Sequence, residues 1–233
     1  MTSHPALPTR SDRLIDAVVY DFGGVFMASP FDAMRQLADE KSMAYELLLE
    51  LLFGGYHTDG DHPWHQAERG ELAITDARDQ IRDLAAQQGH EVDLFDLFRF
   101  LSTKEINEAM VANVRRAREA GARTAVLTNN IVEGKDFWRA MIPLDELFDA
   151  VVDSSEVGMR KPNPAVYLHT LELLGGVAPE RTAFLDDFLG NVEAAERVGM
   201  IGVLVEGAGL PAIDAVDALL AGQSREQWGG NRS

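Results

Sequence analysis

Five short apolar, β-branched runs punctuate the chain, and the last four alternate with helical patterning. That alternation constrains the fold more than any other feature. The runs are AVVYDF (17–22), TAVLTN (124–129), DAVVDSS (149–155), TAFLDD (182–187) and IGVLVEG (201–207). Turn-formers or helical patterns bound each of them, as expected of buried strands. Between the last four lie KDFWRAMI, PAVYLHTLELLGG and NVEAAERVGM; the second opens on proline and runs into two glycines, the usual start and stop chemistry of a helix. Strands alternating with helices predict an α/β fold, a Rossmann-like parallel sheet flanked by helices.

The first run stands apart. About a hundred residues separate it from the second, and FDAMRQLADE, AYELLLELLF, ITDARDQIRDLAAQQ and TKEINEAMVANVRRAREAG within them carry helical spacing. The last of these abuts the second run through Gly121 and leads back to the core. The expected organisation is a flexible leader (1–16), a Rossmann-like core (17–27 and 104–222), a helical cap inserted after the first strand (28–103) and a flexible tail (223–233).

Composition narrows the chemistry. A chain of 233 residues, 46% hydrophobic and 25% charged, can bury a sizeable core. No apolar run approaches the ~20 residues of a membrane helix. The first residues, MTSHPALPTRSDR, lack the apolar stretch of a secretory signal. Cysteine is absent, which removes disulfides, thiolate catalysis and cysteine-ligated zinc, and a reducing cytoplasm fits. The net charge of −17 argues against nucleic acid or an anionic membrane as partner. An anionic substrate would need local cations to overcome that field, and a divalent metal supplies them most simply.

Polar residues gather where the strands end. Asp21 ends the first, Thr128 and Asn129 the second; Lys161 sits in GMRKPNP after the third; Asp186 and Asp187 end the fourth. In an open parallel sheet, the carboxyl ends of the strands form the ligand crevice. Each cluster alone has an ordinary reading: a turn residue, a helix N-cap, a solvated lysine, an acidic helix start. In this order, each at a strand exit, they bring three carboxylates, a hydroxyl, an amide and an ammonium to one place.

YDFGGVF, VLTNN, VGMRKPNPAVY and AFLDDFLGNVEAAERVGM match, in order, the motifs of the haloacid dehalogenase superfamily, which the chain resembles over about residues 17–206. Most members are phosphatases, and the helical insertion corresponds to the family's cap. Within the family the later motifs look most like the phosphatase-type domain at the N-terminus of soluble epoxide hydrolase. The related domain fused to some acyl-CoA dehydrogenases shares a glycine-rich first motif.

The resemblance implies a Mg2+-dependent phosphatase acting on a small phosphorylated metabolite. Asp21 would be the nucleophile, forming an aspartyl-phosphate that water cleaves. Asp21, Asp187 and the main-chain carbonyl of Gly23 would be the metal ligands, with Asp186 a third carboxylate or a partner behind them. Thr128, the backbone at Asn129 and Lys161 would hold the phosphate oxygens. Asn191, one helical turn past the acidic pair, is placed to orient Asp187.

Gly23 departs from the family pattern, because most of these phosphatases carry there a second aspartate that protonates the leaving group. General acid–base catalysis is worth ~10²–10⁴-fold. A cap residue or water could replace the acid, the substrate could have a good leaving group, or the domain could keep phosphate binding without turnover. Dehalogenases also lack the second aspartate, but need no acidic pair like Asp186–Asp187. Phosphonate hydrolases add a cap lysine that forms a Schiff base, and Lys41 and Lys104 are the only lysines in or near the insertion. The least regular part of the cap, YHTDGDHPWHQAERGEL (56–72), holds His57, His62, Trp64, His65 and Arg69. Part of it is expected to face the crevice and select the leaving group, with a histidine as a possible substitute acid.

Overall fold

The protein is described by a computed structural model covering residues 13–101 and 105–223. Lys104, the leader up to residue 12 and the tail beyond Gln223 lie outside the described residues. Strands β1 (Ala17–Tyr20), β2 (Arg123–Thr128), β3 (Ala150–Asp153), β4 (Thr182–Asp186) and β5 (Ile201–Leu204) form one sheet in the order β3-β2-β1-β4-β5. Every pairing is parallel. The connections after β1 run to one side and those after β4 to the other, so the strand order reverses at β1, where such sheets open a crevice.

Register decides which residues meet there. Tyr20 lies opposite Val126 on one side and Leu185 on the other. The chain following β1 therefore leaves the sheet level with the ends of β2 and β4, and Asp21 N–H donates to the Leu185 carbonyl at 2.8 Å. Successive residues of a strand face opposite sides. Val18 and Tyr20 pack beneath helices Glu108–Glu119 and Leu210–Leu220, while Ala17 and Val19 pack beneath Pro164–Leu173 and Leu189–Arg197. Burial on both faces explains why the strands read as near-continuous apolar runs.

Among its described residues the insertion folds as five helices, Pro30–Lys41, Tyr45–Phe53, Pro63–Glu68, Ile74–Gln87 and Leu94–Phe98. Met34, Leu37, Leu48, Leu52, Ile81 and Leu94 build a core of their own, separate from the two sheet layers. Two sequence expectations need correction. Pro63–Glu68 is a helix within the stretch read as irregular: Pro63 sits in its first turn and His62 Nδ1 accepts from Trp64 N–H at 3.2 Å. Histidine is not among the side chains that ordinarily signal a helix start, so the cap was not legible. Residues 13–16 are not a loose leader. Ile15 is fully buried, Leu14 N–H donates to the Leu219 carbonyl at 3.0 Å, and Asp16 pairs with Arg181 at 2.6 Å.

One buried ion pair ties the insertion to the core. Arg160, with no exposed surface, places Nε 2.6 Å from Glu68 Oε2 and Nη1 2.7 Å from the Thr58 carbonyl. Its guanidinium lies 4.9 Å from the ring centre of Tyr56. Removing one member of a buried pair strands an uncompensated charge and costs about 3–5 kcal/mol, whereas replacing both with apolar groups is far milder. Urea unfolding should show Arg160→Met destabilised by about that amount and Arg160→Met with Glu68→Leu closer to wild type. Equal losses in the two variants would refute this account of the pair.

Candidate active site

Lys161 occupies the centre of the site. Its Nζ lies 2.8 Å from Asp21 Oδ1 and 2.7 Å from Asp186 Oδ2, and all three side chains are buried. The loop carrying it is pinned by Asn129: Lys161 N–H donates to Asn129 Oδ1 at 2.8 Å, and Asn129 Nδ2 donates to the Lys161 carbonyl at 3.0 Å. The Asn129 side chain thus aligns the lysine loop, a role the sequence did not suggest. Asp21 Oδ1 also accepts from the Phe22 amide at 2.6 Å.

The acidic pair divides its contacts. Asp186 accepts from Lys161, from Phe188 N–H at 2.8 Å and from Asn191 Nδ2 at 3.1 and 3.2 Å. The expectation that Asn191 orients Asp187 is therefore corrected. Asn191 lies in the helix Leu189–Arg197 that follows β4, and from there it reaches the carboxylate at the strand end. Asp187 instead accepts from the hydroxyl of Ser29, the N-cap of helix Pro30–Lys41. Ser29 escaped the sequence reading, although a serine directly before Pro30 is a readable helix start.

Gly24 matters for a different reason from Gly23. It has φ +72°, and an added Cβ would lie 2.1 Å from Asp187 Cγ. Close approach of backbone to carboxylate requires glycine there. At Gly23 the nearest atom to an added Cβ is Pro30 Cδ at 3.4 Å, an ordinary contact.

Charge in this pocket does not balance. Oxygens of Asp21, Asp186 and Asp187 lie within 4.8 Å of one another, and one ammonium faces them. Burial raises Asp21 well above the usual carboxylate range, Lys161 opposes this, and the neighbouring carboxylates add to the rise. Burial and then Asp186 push Asp187 up to about 7. Burial disfavours charge on Lys161, but Asp186 and Asp21 hold its ammonium above the ordinary lysine value. An all-oxygen donor set with surplus negative charge suits a hard dication such as Mg2+. The residues present fit the metal.

A cavity of about 440 Å3 opens beside these strand ends, lined at one end by Gly23, Thr128 and Asn129. From the insertion, Tyr56, Trp64 and Glu68 reach it. Lys41 does not line it and pairs with Asp96 at 2.9 Å.

The chain matches the haloacid dehalogenase-like hydrolases over residues 15–199, a span containing every residue of the site, and it belongs to that family. Two mouse proteins, bifunctional epoxide hydrolase 2 and acyl-CoA dehydrogenase family member 10, are each 27% identical to it over 200 and 202 residues. Those matches take in 80% and 83% of the chain but only 35% and 18% of the relatives' own lengths. A sesquiterpene phosphatase of Aspergillus oryzae is 34% identical over 143 residues, 60% of the chain and 70% of that protein. A solved structure of a HAD-like family hydrolase from Porphyromonas gingivalis superposes with a TM-score of 0.62 at 25% identity, covering 89% of this chain and 98% of that one.

Of the cap residues singled out in the sequence, Trp64 faces the cavity and the others do different work from that expected. Trp64 lines the cavity and stacks on Phe53 with ring centres 4.5 Å apart. None of the three histidines does: His57 packs on Phe188, His62 caps its helix, and buried His65 accepts from Gly60 N–H at 3.1 Å. Arg69 is held by Asp59 at 2.5 Å and Glu71 at 2.8 Å. Burial lowers His62 to about 4 and His65 to about 3, so both are neutral in the fold near pH 7. An unfolded chain takes up these protons below about pH 6.5, whereas the fold resists doing so until about pH 4. Their contribution is therefore intact above pH 6.5 and lost progressively as pH falls through that window. Thermal unfolding followed from pH 7 to pH 4 should show a declining midpoint, and a His62→Gln/His65→Gln variant should show a shallower decline. An unchanged slope in the variant would remove these histidines from the explanation.

Proposed function

We propose that the protein is a magnesium-dependent phosphatase that hydrolyses a small phosphorylated metabolite through an aspartyl-phosphate on Asp21. What carries this reading is the buried ammonium of Lys161, 2.8 Å from Asp21 and 2.7 Å from Asp186, beside a third carboxylate, Asp187. A relative named as a phosphatase supports it. Asp21, Asp187 and the Gly23 carbonyl would hold the metal, with Asp186 behind them and already engaged by Lys161 and Asn191. Bound magnesium would offset the repulsion between the carboxylates and the phosphoryl oxygens.

The chain's own groups supply the rest. Thr128, the backbone at Asn129 and Lys161 bind the non-bridging oxygens and align phosphorus with Asp21. Asp21 Oδ1 accepts from Phe22 N–H and from Lys161, contacts that fix the orientation of the nucleophilic carboxylate. A bond from a carboxylate oxygen of Asp21 to phosphorus forms as the bond from phosphorus to the organic oxygen breaks. Water then attacks the aspartyl-phosphate, releasing inorganic phosphate and restoring the carboxylate.

Proton delivery to the departing oxygen is the weak step. Among the described residues no histidine lines the cavity; of its carboxylates, Glu68 binds Arg160 and Glu133 Oε1 accepts from Ile74 N–H at 3.0 Å. Water is left to provide the proton, so turnover favours esters and anhydrides whose leaving oxygen is weakly basic, such as aryl, acyl or anomeric phosphates.

Hydrolysis of an activated aryl phosphate should require magnesium, stop on chelation and fall to background in Asp21→Asn. Metal-independent hydrolysis persisting in that variant would overturn the proposal, and phosphate binding without turnover on any ester would favour an impaired binding module. In a second test, Gly23→Asp should raise turnover of alkyl phosphates by about 10²-fold or more and flatten the dependence of rate on leaving-group pKa. A Cβ at this position makes only an ordinary contact with Pro30, and an unchanged dependence would show that protonation does not limit the reaction.

A further inference from the structure

The cavity beside Gly23 and Thr128 has a chemistry of its own, and the reading that follows rests on the phosphatase proposal. Away from the strand ends its walls are aromatic and aliphatic, with Met27, Phe53, Trp64, Ile131, Phe137 and Trp138 contributed by both the core and the insertion. At its lip Phe98 and Phe137 are 39% and 55% exposed, although both are large and apolar. Isolated exposed hydrophobics are common, but a pair at the edge of a continuous apolar cavity extends one surface.

Most polar groups along the walls are already engaged, and the indole N–H of Trp64, which has no partner, is itself buried. Tyr56 hydroxyl donates to Glu68 at 3.3 Å, and Glu68 binds Arg160. Glu133 accepts from Ile74 N–H, Asn130 Oδ1 accepts from Ile131 N–H at 2.8 Å, and the Asn129 side chain is consumed by the Lys161 backbone. A sugar or polyol pushed into this space would lose the hydration of several hydroxyls and gain few matching partners. An apolar group loses nothing and gains the wall.

We propose that this cavity receives the organic half of the substrate, and that this half is apolar, an aromatic or branched aliphatic group rather than a sugar or polyol. At roughly 30 Å3 per water-sized group, the volume of about 440 Å3 accommodates about fifteen non-hydrogen atoms. The phosphate sits on Lys161, Thr128 and the backbone at Asn129, and the organic group runs past Gly23 between core and insertion. The missing side chain at Gly23 also keeps a carboxylate out of the mouth, where it would otherwise meet an apolar substrate.

A series of phenyl phosphates with para-alkyl substituents separates this inference from the leaving-group question, because leaving-group basicity is nearly constant along it. With magnesium, kcat/KM should rise about three- to fourfold per added methylene until the cavity fills. A para-dihydroxypropyl ester should fall at least tenfold below the para-propyl one. Phe137→Ser and Ile131→Ser should each reduce the slope against chain length. A flat series, or a diol that matches its alkyl counterpart, would overturn the inference while leaving the phosphatase reading intact. If no member of the series is turned over, the phosphatase reading falls and binding decides: the Asp21→Asn protein should be stabilised in thermal unfolding more by 4-hexylphenyl phosphate than by phenyl phosphate. Equal stabilisation by the two would again overturn the inference.

Discussion

An ammonium buried between two carboxylates is the constraint on which the rest of the site depends. Lys161 leaves water only because Asp21 and Asp186 both lie within hydrogen-bond distance of its nitrogen. Those carboxylates end β1 and β4, and the loop carrying the lysine is stitched to the end of β2 by Asn129. One side chain thus gathers three strand ends, and the parallel register brings those ends level. The desolvation of three such groups is costly without mutual pairing. The surplus of negative charge that remains is the feature a dication would relieve.

Much of this arrangement is legible in the sequence. β-branched runs interrupted by helical periods define five buried strands, and strand exits are where an α/β sheet exposes its polar residues; Asp21, Thr128, Asn129, Asp186 and Asp187 fall there, and Lys161 comes from the loop beyond the helical turn Ser154–Val157 that follows β3. Residues whose importance arises from contacts across the fold were not legible. Ser29 reads as a helix cap and Gly24 as a turn glycine until Asp187 is placed against both. Arg160 resembles any charged loop residue until Glu68, far away in sequence, is brought to it inside the protein. The histidines of the cap misled for the converse reason. Their residue type suggests acid–base chemistry, but burial and local hydrogen bonds commit His62 and His65 to supporting the insertion, and His57 packs on Phe188.

Arg160 and Lys161 are neighbours with separate tasks. Lys161 reaches the carboxylates at the strand ends, and Arg160 grips Glu68 and the Thr58 carbonyl in the insertion. A single loop therefore sets both the position of the proposed phosphate site and the placement of the walls beside it. Tyr56 and Glu68, which line the cavity, belong to the group of contacts around that guanidinium. Alignment of a reacting group with the space for the rest of its substrate follows from the covalent adjacency of two basic residues.

The paired glycines after Asp21 have unequal freedom to change. Position 24 is closed to any side chain, because Asp187 fills the volume and the backbone is left-handed. At position 23 a Cβ meets only Pro30, in ordinary contact, and every glycine codon lies one base from a codon for aspartate or glutamate. An acidic side chain at that position is thus continually within mutational reach of the lineage. Retention of glycine there would be a record of selection rather than of steric necessity.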